Sequence, residues 1–431
     1  MPEYSAPRGT RDVLPHESAR WQYVECRFRD ICRVYDYQEI RTPTFEYTEL
    51  FTRNLGETTD VVSKEMYTFE DRGGRSITLR PEGTAPAIRA YVEHNLGATM
   101  PVAKMYYIAR VFRYERPQAG RYREHTQLGV EAIGSIDPAL DAEVISLAAR
   151  FYENIGLRDF ELHLNSIGCP NCRPAYREAL VNFARSRTEK LCPTCRSRLE
   201  LNPMRMFDCK VPECKDALSD APALIDYLGD ECRAHFDSLQ SYLHDLGVNY
   251  VLDRRLVRGF DYYTKTAFEF VSGELGAQNA IGGGGRYDHL VESLGGSPTP
   301  AVGFGIGLER VMAVLEKLGV ELPVQSGITV FVASLGEEAR RRAVRLVSDL
   351  RAANIPSDLD YTGRSLKAQM RLADKLQARF TVIIGENEVA AGNVILRDMS
   401  TSEQKTVPFE EVPSIIADKQ AREDQGLQIS V

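Results

Sequence analysis

The chain has 431 residues, 43% of them hydrophobic and 26% charged, the makeup of a globular protein with enough apolar side chains for more than one core. Its formal net charge of -8 excludes a protein coated in positive charge for nucleic acid and leaves only local basic faces to consider. No apolar run approaches the roughly 20 residues of a membrane helix, and Met1–Pro15, with Arg8, Arg11 and Asp12, has no apolar stretch to act as a secretory signal, so a cytoplasmic location without a membrane partner is expected.

From His16 to Tyr37, Trp21, Val24, Phe28, Ile31 and Tyr35 recur at helical spacing, which predicts an amphipathic helix. Gln38–Pro43 then reads as a short edge strand stopped by its proline. Such a pair serves either a dimer interface or plain core packing. Arg80-Pro-Glu-Gly-Thr84 ends a strand, and Met105–Glu115 and His125–Ile133 read as two strands joined by the polar loop Arg116–Glu124. Between about Cys169 and Cys232 the chain is cysteine-rich and lacks long strands, so an inserted helical module is expected. Strands return at Asn249–Leu252 and Tyr262–Val271, followed by a loop at Gly282–Gly285 and a helix opening near Gly307. Past a linker at Glu321–Gly327, strands and helices alternate: Ile328–Ala333, 337–353, Ser357–Asp360, 365–378 and Phe380–Ile384. That alternation predicts a compact α/β domain. The expected domains are 1–324, with the insertion at about 169–235, and 325–431.

Several segments carry chemistry. In the second hairpin strand, alternation puts Gln127, Gly129 and Glu131 on one face and Leu128, Val130 and Ala132 on the other, the apolar face for burial. Gly129 is expected to leave room for a ligand to approach the backbone. Arg110, Arg113, Arg116, Arg121 and Arg123 form either an exposed basic hairpin or a phosphate site, since guanidinium matches phosphate oxygens bidentately. Gly303-Phe-Gly-Ile-Gly-Leu-Glu-Arg310 is a glycine-rich entry to a helix but fits neither GxGxxG nor a P-loop. Leu256–Thr264 sets Arg258 among Tyr262 and Tyr263, as a stacked core pair or as a cation near a reacting phosphate.

Taken in order, these segments resemble the class II aminoacyl-tRNA synthetases. Phe112-Arg113-Tyr-Glu115 with its loop resembles their motif 2, Gly303–Arg310 motif 3, and Tyr37–Phe45 motif 1. Arg80–Thr84, Arg116-Pro-Gln118 and above all Leu256–Thr264 are similar to the histidyl members of the family. The resemblance implies an α+β catalytic domain on an antiparallel sheet, with a small helical insertion, and a C-terminal α/β anticodon-binding domain. It implies activation of L-histidine by ATP, with Mg2+, then transfer to tRNA(His) by a homodimer. Arg258, Arg113 and Gln127 would be catalytic. Glu82, Thr84, Gln127, Glu131, Arg258, Tyr262 and Tyr263 would bind histidine, and Arg113, Arg121 and Arg310 would bind ATP. Arg116 and Gln118 would read the tRNA acceptor end. The competing expectation is a non-catalytic paralogue, the regulatory subunit of ATP phosphoribosyltransferase. Against it stand the presence of Arg113, Arg258, Arg310 and residues 328–431.

Three features lie outside that set. His125 stands where the family often has a phenylalanine, and an imidazole offers adenine less stacking area. Arg364, Lys367, Arg371, Lys375 and Arg379 form a basic stripe, either a solvated helix face or a tRNA contact. Finally, Cys169-x2-Cys172 and Cys192-x2-Cys195 fit a structural zinc pattern as well as they fit buried thiols, with Cys209 and Cys214 a further pair.

Overall fold

The computed structural model describes residues 4–56, 59, 61–115, 120–275, 279–324 and 327–428, with side chains described up to 420 apart from that of Leu55. The loop residues Arg116 and Gln118 lie outside them. The chain divides into two compact units, Met1–Leu322 and Pro323–Val431.

In the first unit an eight-stranded sheet runs, edge to edge, Gln38–Glu39, Ala103–Phe112, Glu124–Ile133, Ala301–Gly307, Ala280–Arg286, Thr264–Val271, Glu161–Ser166 and Val251–Leu252. The outermost pairings are parallel and the inner ones antiparallel. The helix Pro15–Val34 buries Trp21, Val24, Phe28 and Ile31, the stripe its spacing predicts. Phe28 meets Phe151 and Tyr106 edge-on at centroid distances of 5.3 and 5.9 Å, tying that helix to the sheet and to the helix Pro138–Asn154. Leu128, Val130 and Ala132 are fully buried in this core.

Gly282–Gly285, expected as a loop, is the interior of a strand. The cause is close approach between strands: a Cβ at Gly284 would stand 2.0 Å from the Gly303 carbonyl oxygen, and one at Gly285 would stand 2.4 Å from that of Thr266. Glycine here does not punctuate the chain but thins the sheet.

The stretch 169–235 is helical, with Arg173–Arg185, Pro193–Leu201, Pro212–Ala217 and the start of Asp230–Asp245, around its own small core. The second unit has a five-stranded sheet in the order Ser357–Leu359, Val330–Ser334, Phe380–Ile384, Asn393–Asp398, Gln404–Pro408. The first three strands are parallel, with helices Glu337–Ala352 and Leu366–Lys375 between them. The last two add antiparallel partners that the sequence reading stopped short of. Of the basic stripe, Lys367, Arg371 and Lys375 are exposed on the helix Leu366–Lys375. Arg364 and Arg379 flank it and face Asp360 and Asp398, each at 3.8 Å. Among the described residues, no helix is long and apolar enough to cross a membrane.

Candidate active site

The first unit holds a cavity of about 690 Å3 over the central strands. Arg113, Arg258 and Arg310 line it together with Glu82, Thr84, Gln127, Tyr262 and Tyr263, although these residues come from segments more than 200 positions apart in the chain. Each cation is held by a neighbour that leaves part of its guanidinium uncommitted. Just beyond the end of its strand, Arg113 donates from Nε to the Pro81 carbonyl at 2.7 Å and lies 5.7 Å over the Phe260 ring. Arg258 donates from Nη1 to Glu269 at 2.9 Å, and its Nε is buried without a hydrogen-bond partner among the described residues. Arg310, in the first turn of the helix Leu308–Lys317, donates to the Ala280 carbonyl at 2.6 Å.

The hairpin arginines separate. Arg121 joins the cavity wall and pairs with Glu115 at 2.5 Å. Arg123 stacks 3.8 Å over Tyr114, and Arg110, half exposed, faces Glu309 at 3.8 Å without lining the cavity. The expected patch of five is therefore narrower at the site: among the described residues, Arg113 and Arg121 contribute to it.

On the polar face of the second hairpin strand, Gly129 and Glu131 are buried and Gln127 is half-buried at the cavity wall. Gln127 accepts from the Gly83 amide at 2.9 Å, and Gly305 makes room for it, since a Cβ there would stand 2.2 Å from Gln127 Nε2. Glu82 accepts from the Thr84 and Ala85 amides at 2.6 and 2.8 Å, capping the helix Thr84–Glu93; burial nevertheless pushes its carboxyl up. Glu131 is fully buried and does not line the cavity directly. Tyr107 donates to it at 3.0 Å and Tyr287 donates to its other oxygen, yet burial pushes its pKa up to about 8. The space above Gly129 is taken by protein and not by ligand: a Cβ there would stand 2.1 Å from the Tyr107 ring. Gly129 thus seats the tyrosine that holds Glu131.

His125 lines the cavity near Arg113 and Arg310, and burial together with those cations depresses its pKa to about 3, so its ring is neutral. Glu115, Glu269 and Glu309 also reach the cavity, and so do Arg198, Arg205 and Asp208 from the inserted module. Sequence reading missed these. Glu115 had a local signal, lying two residues past Arg113, whereas the others come together only through the fold.

The cysteines group differently from the expected set. Cys192 and Cys195 cluster with Cys209 and Cys214, while Cys169 and Cys172 cluster with Cys232. One four-ligand site from Cys169, Cys172, Cys192 and Cys195 is replaced by these two clusters, because the helix Arg173–Arg185 separates the two CxxC turns.

An antiparallel sheet floored by a glycine-rich strand, with three arginines converging over it, defines a class II aminoacyl-tRNA synthetase. Residues 9–311 match the family model for histidyl-tRNA synthetase, and 329–419 match that for an anticodon binding domain. The chain is 54% identical over 413 residues to the histidine–tRNA ligase of Pelotomaculum thermopropionicum, covering 96% of this chain and 97% of that one. It is 55% identical to that of Moorella thermoacetica, covering 94% and 96%. Among solved structures, apo histidyl-tRNA synthetase of S. aureus superimposes with a TM-score of 0.82 at 38% identity, covering 96% of this chain and 99% of that one. The chain belongs to the histidyl-tRNA synthetase family.

Proposed function

We infer that this chain is a histidine–tRNA ligase, which joins L-histidine to ATP as histidyl-adenylate and then passes the histidyl group to the 3' end of tRNA(His). The observation that carries the reading is the convergence of Arg113, Arg258 and Arg310 on one cavity beside Glu82, Thr84, Gln127, Tyr262 and Tyr263. In the first step a histidine carboxylate oxygen attacks the α-phosphorus and pyrophosphate leaves. Such a displacement asks the protein for alignment and charge stabilisation. Arg113 and Arg121 hold the α-phosphate end of ATP, Arg310 the γ-phosphate, and Arg258 spans the histidine carboxylate and α-phosphate as charge shifts between them. Glu82, Thr84 and Gln127 take the ammonium and carboxylate end.

Tyr262 and Tyr263 face the imidazole. Glu131 acts on it through the tyrosine network, a positioning role that follows from its burial. Glu309 on the cavity wall would hold magnesium, whose positive charge would offset that of the phosphates. Arg116 and Gln118 meet the tRNA acceptor end, and the unit from Pro323 onward meets the anticodon, with Lys367, Arg371 and Lys375 on the phosphate backbone. A cytoplasmic homodimer fits this reading. The sheet edge at Gln38–Glu39, unpaired on its outer side among the described residues, and separately the exposed Phe45 and Tyr47 support an interface.

The non-catalytic paralogue is the weaker reading, since the named relatives are ligases over nearly their whole length. Charging of tRNA(His) with labelled histidine tests the proposal. Ester formation that requires ATP supports it, and its absence in folded protein returns the regulatory reading.

A further inference from the structure

Cys192, Cys195, Cys209 and Cys214 place four sulfurs within 4.8 Å of one another, and all four are free thiols. Cys192 Sγ and Cys209 Sγ stand 3.8 Å apart, far from the roughly 2.05 Å of a disulfide. Four sulfurs bonded to one zinc at about 2.3 Å lie about 3.8 Å from one another along a tetrahedron's edges. The sulfurs are also held from outside. Cys192 Sγ accepts from the Cys195 amide at 3.4 Å, capping the helix Pro193–Leu201, and Cys214 Sγ accepts from the Cys192 amide at 3.1 Å. Amide donors of this kind stabilise thiolates and orient metal ligands.

The surrounding elements are short. The helix Pro193–Leu201 has 9 residues and Pro212–Ala217 has 6, too few to persist without tertiary support. Between the paired cysteines the segment reaches the catalytic loop. Asn202 donates to Asp261 at 3.0 Å, and Arg205 donates to the Gly259 carbonyl at 2.5 Å, on either side of Phe260 and next to Arg258.

We propose that Cys192, Cys195, Cys209 and Cys214 bind one zinc ion as thiolates, and that this ion fixes the wall of the cavity that buttresses the Arg258 loop. Binding releases the thiol protons to solvent. The second cluster, Cys169, Cys172 and Cys232, has no fourth His, Cys, Asp or Glu ligand among the described residues. The site is thus assigned to the four-thiol set.

The test uses the full-length chain purified without chelator. Metal analysis is expected to find about one zinc per chain. After removal of the zinc, added Co2+ is expected to produce sulfur-to-cobalt charge transfer and the intense visible bands of tetrahedral thiolate. C209S/C214S is expected to lose the metal, and C169S/C232S to keep it. Metal-free wild type that gives no tetrahedral cobalt spectrum overturns the proposal, even where the variants fail to fold. Retention of the metal by C209S/C214S with loss from C169S/C232S overturns it as well.

Discussion

Arg258 and Glu269 allow a prediction that separates charge from packing. Arg258 is bonded to Glu269 at 2.9 Å on the cavity wall, so Arg258→Ala removes a cation and frees a carboxylate in the same place. Losing a preorganised donor to developing charge costs about 3–4 kcal/mol. A carboxylate left about 6 Å from a phosphate charge, at an effective dielectric of about 20, adds up to about 3 kcal/mol of repulsion. The single variant should therefore lose roughly 10²–10⁵ in kcat/KM for histidine activation. Arg258→Ala combined with Glu269→Gln removes the freed charge and should recover about tenfold or more over the single variant. Steady-state ATP–pyrophosphate exchange on the wild type, both single variants and the double variant reads the coupling directly. A single variant within tenfold of wild type, or a double variant no better than the single, would refute the reasoning.

Glu131→Gln should raise KM for histidine, with far-UV circular dichroism unchanged. Because burial raises the Glu131 pKa to about 8, the folded state holds its proton while the unfolded chain has released it. Wild-type stability should accordingly fall as pH rises from about 4.5 through 8, and the variant should be relatively more stable at pH 9 than at pH 6 by thermal melts. Gly129→Ala drives a methyl into the Tyr107 ring; overpacking of this kind costs about 1–3 kcal/mol, and a histidine KM left unchanged by the variant would count against the tyrosine as the holder of Glu131. His125→Phe should lower KM for ATP a few-fold. With its pKa near 3, His125 releases no proton between pH 6 and 8, so the variant should show the same pH profile as wild type over that range.

The chemistry of the site was legible where it is carried by residue type within a short window. The Arg113 hairpin, the Arg258–Tyr263 segment and the Gly303–Arg310 entry each declare a cation beside glycine or aromatic residues, and the cavity gathers all three. The helix Pro15–Val34 was legible because one apolar face repeats along it. What escaped depends on distant partners. Gly282–Gly285 looks like a loop from its own residues, because the strand that demands its missing side chains lies at Gly303. The tyrosines on Glu131 come from 24 and 156 positions away, so no local pattern reports that its carboxyl is enclosed. Spacing alone pairs each CxxC but cannot say which pairs meet, and the fold groups them with Cys209, Cys214 and Cys232.

The central claim is that three arginines gather ATP and histidine for adenylate formation in one cavity. Amino-acid-dependent ATP–pyrophosphate exchange on the purified chain tests it most directly, with a panel of amino acids and the Arg113→Ala variant as control. The account predicts exchange with histidine alone, and a loss of at least a hundredfold in the variant. Absence of exchange with histidine, or exchange driven by threonine or proline in its place, would contradict it.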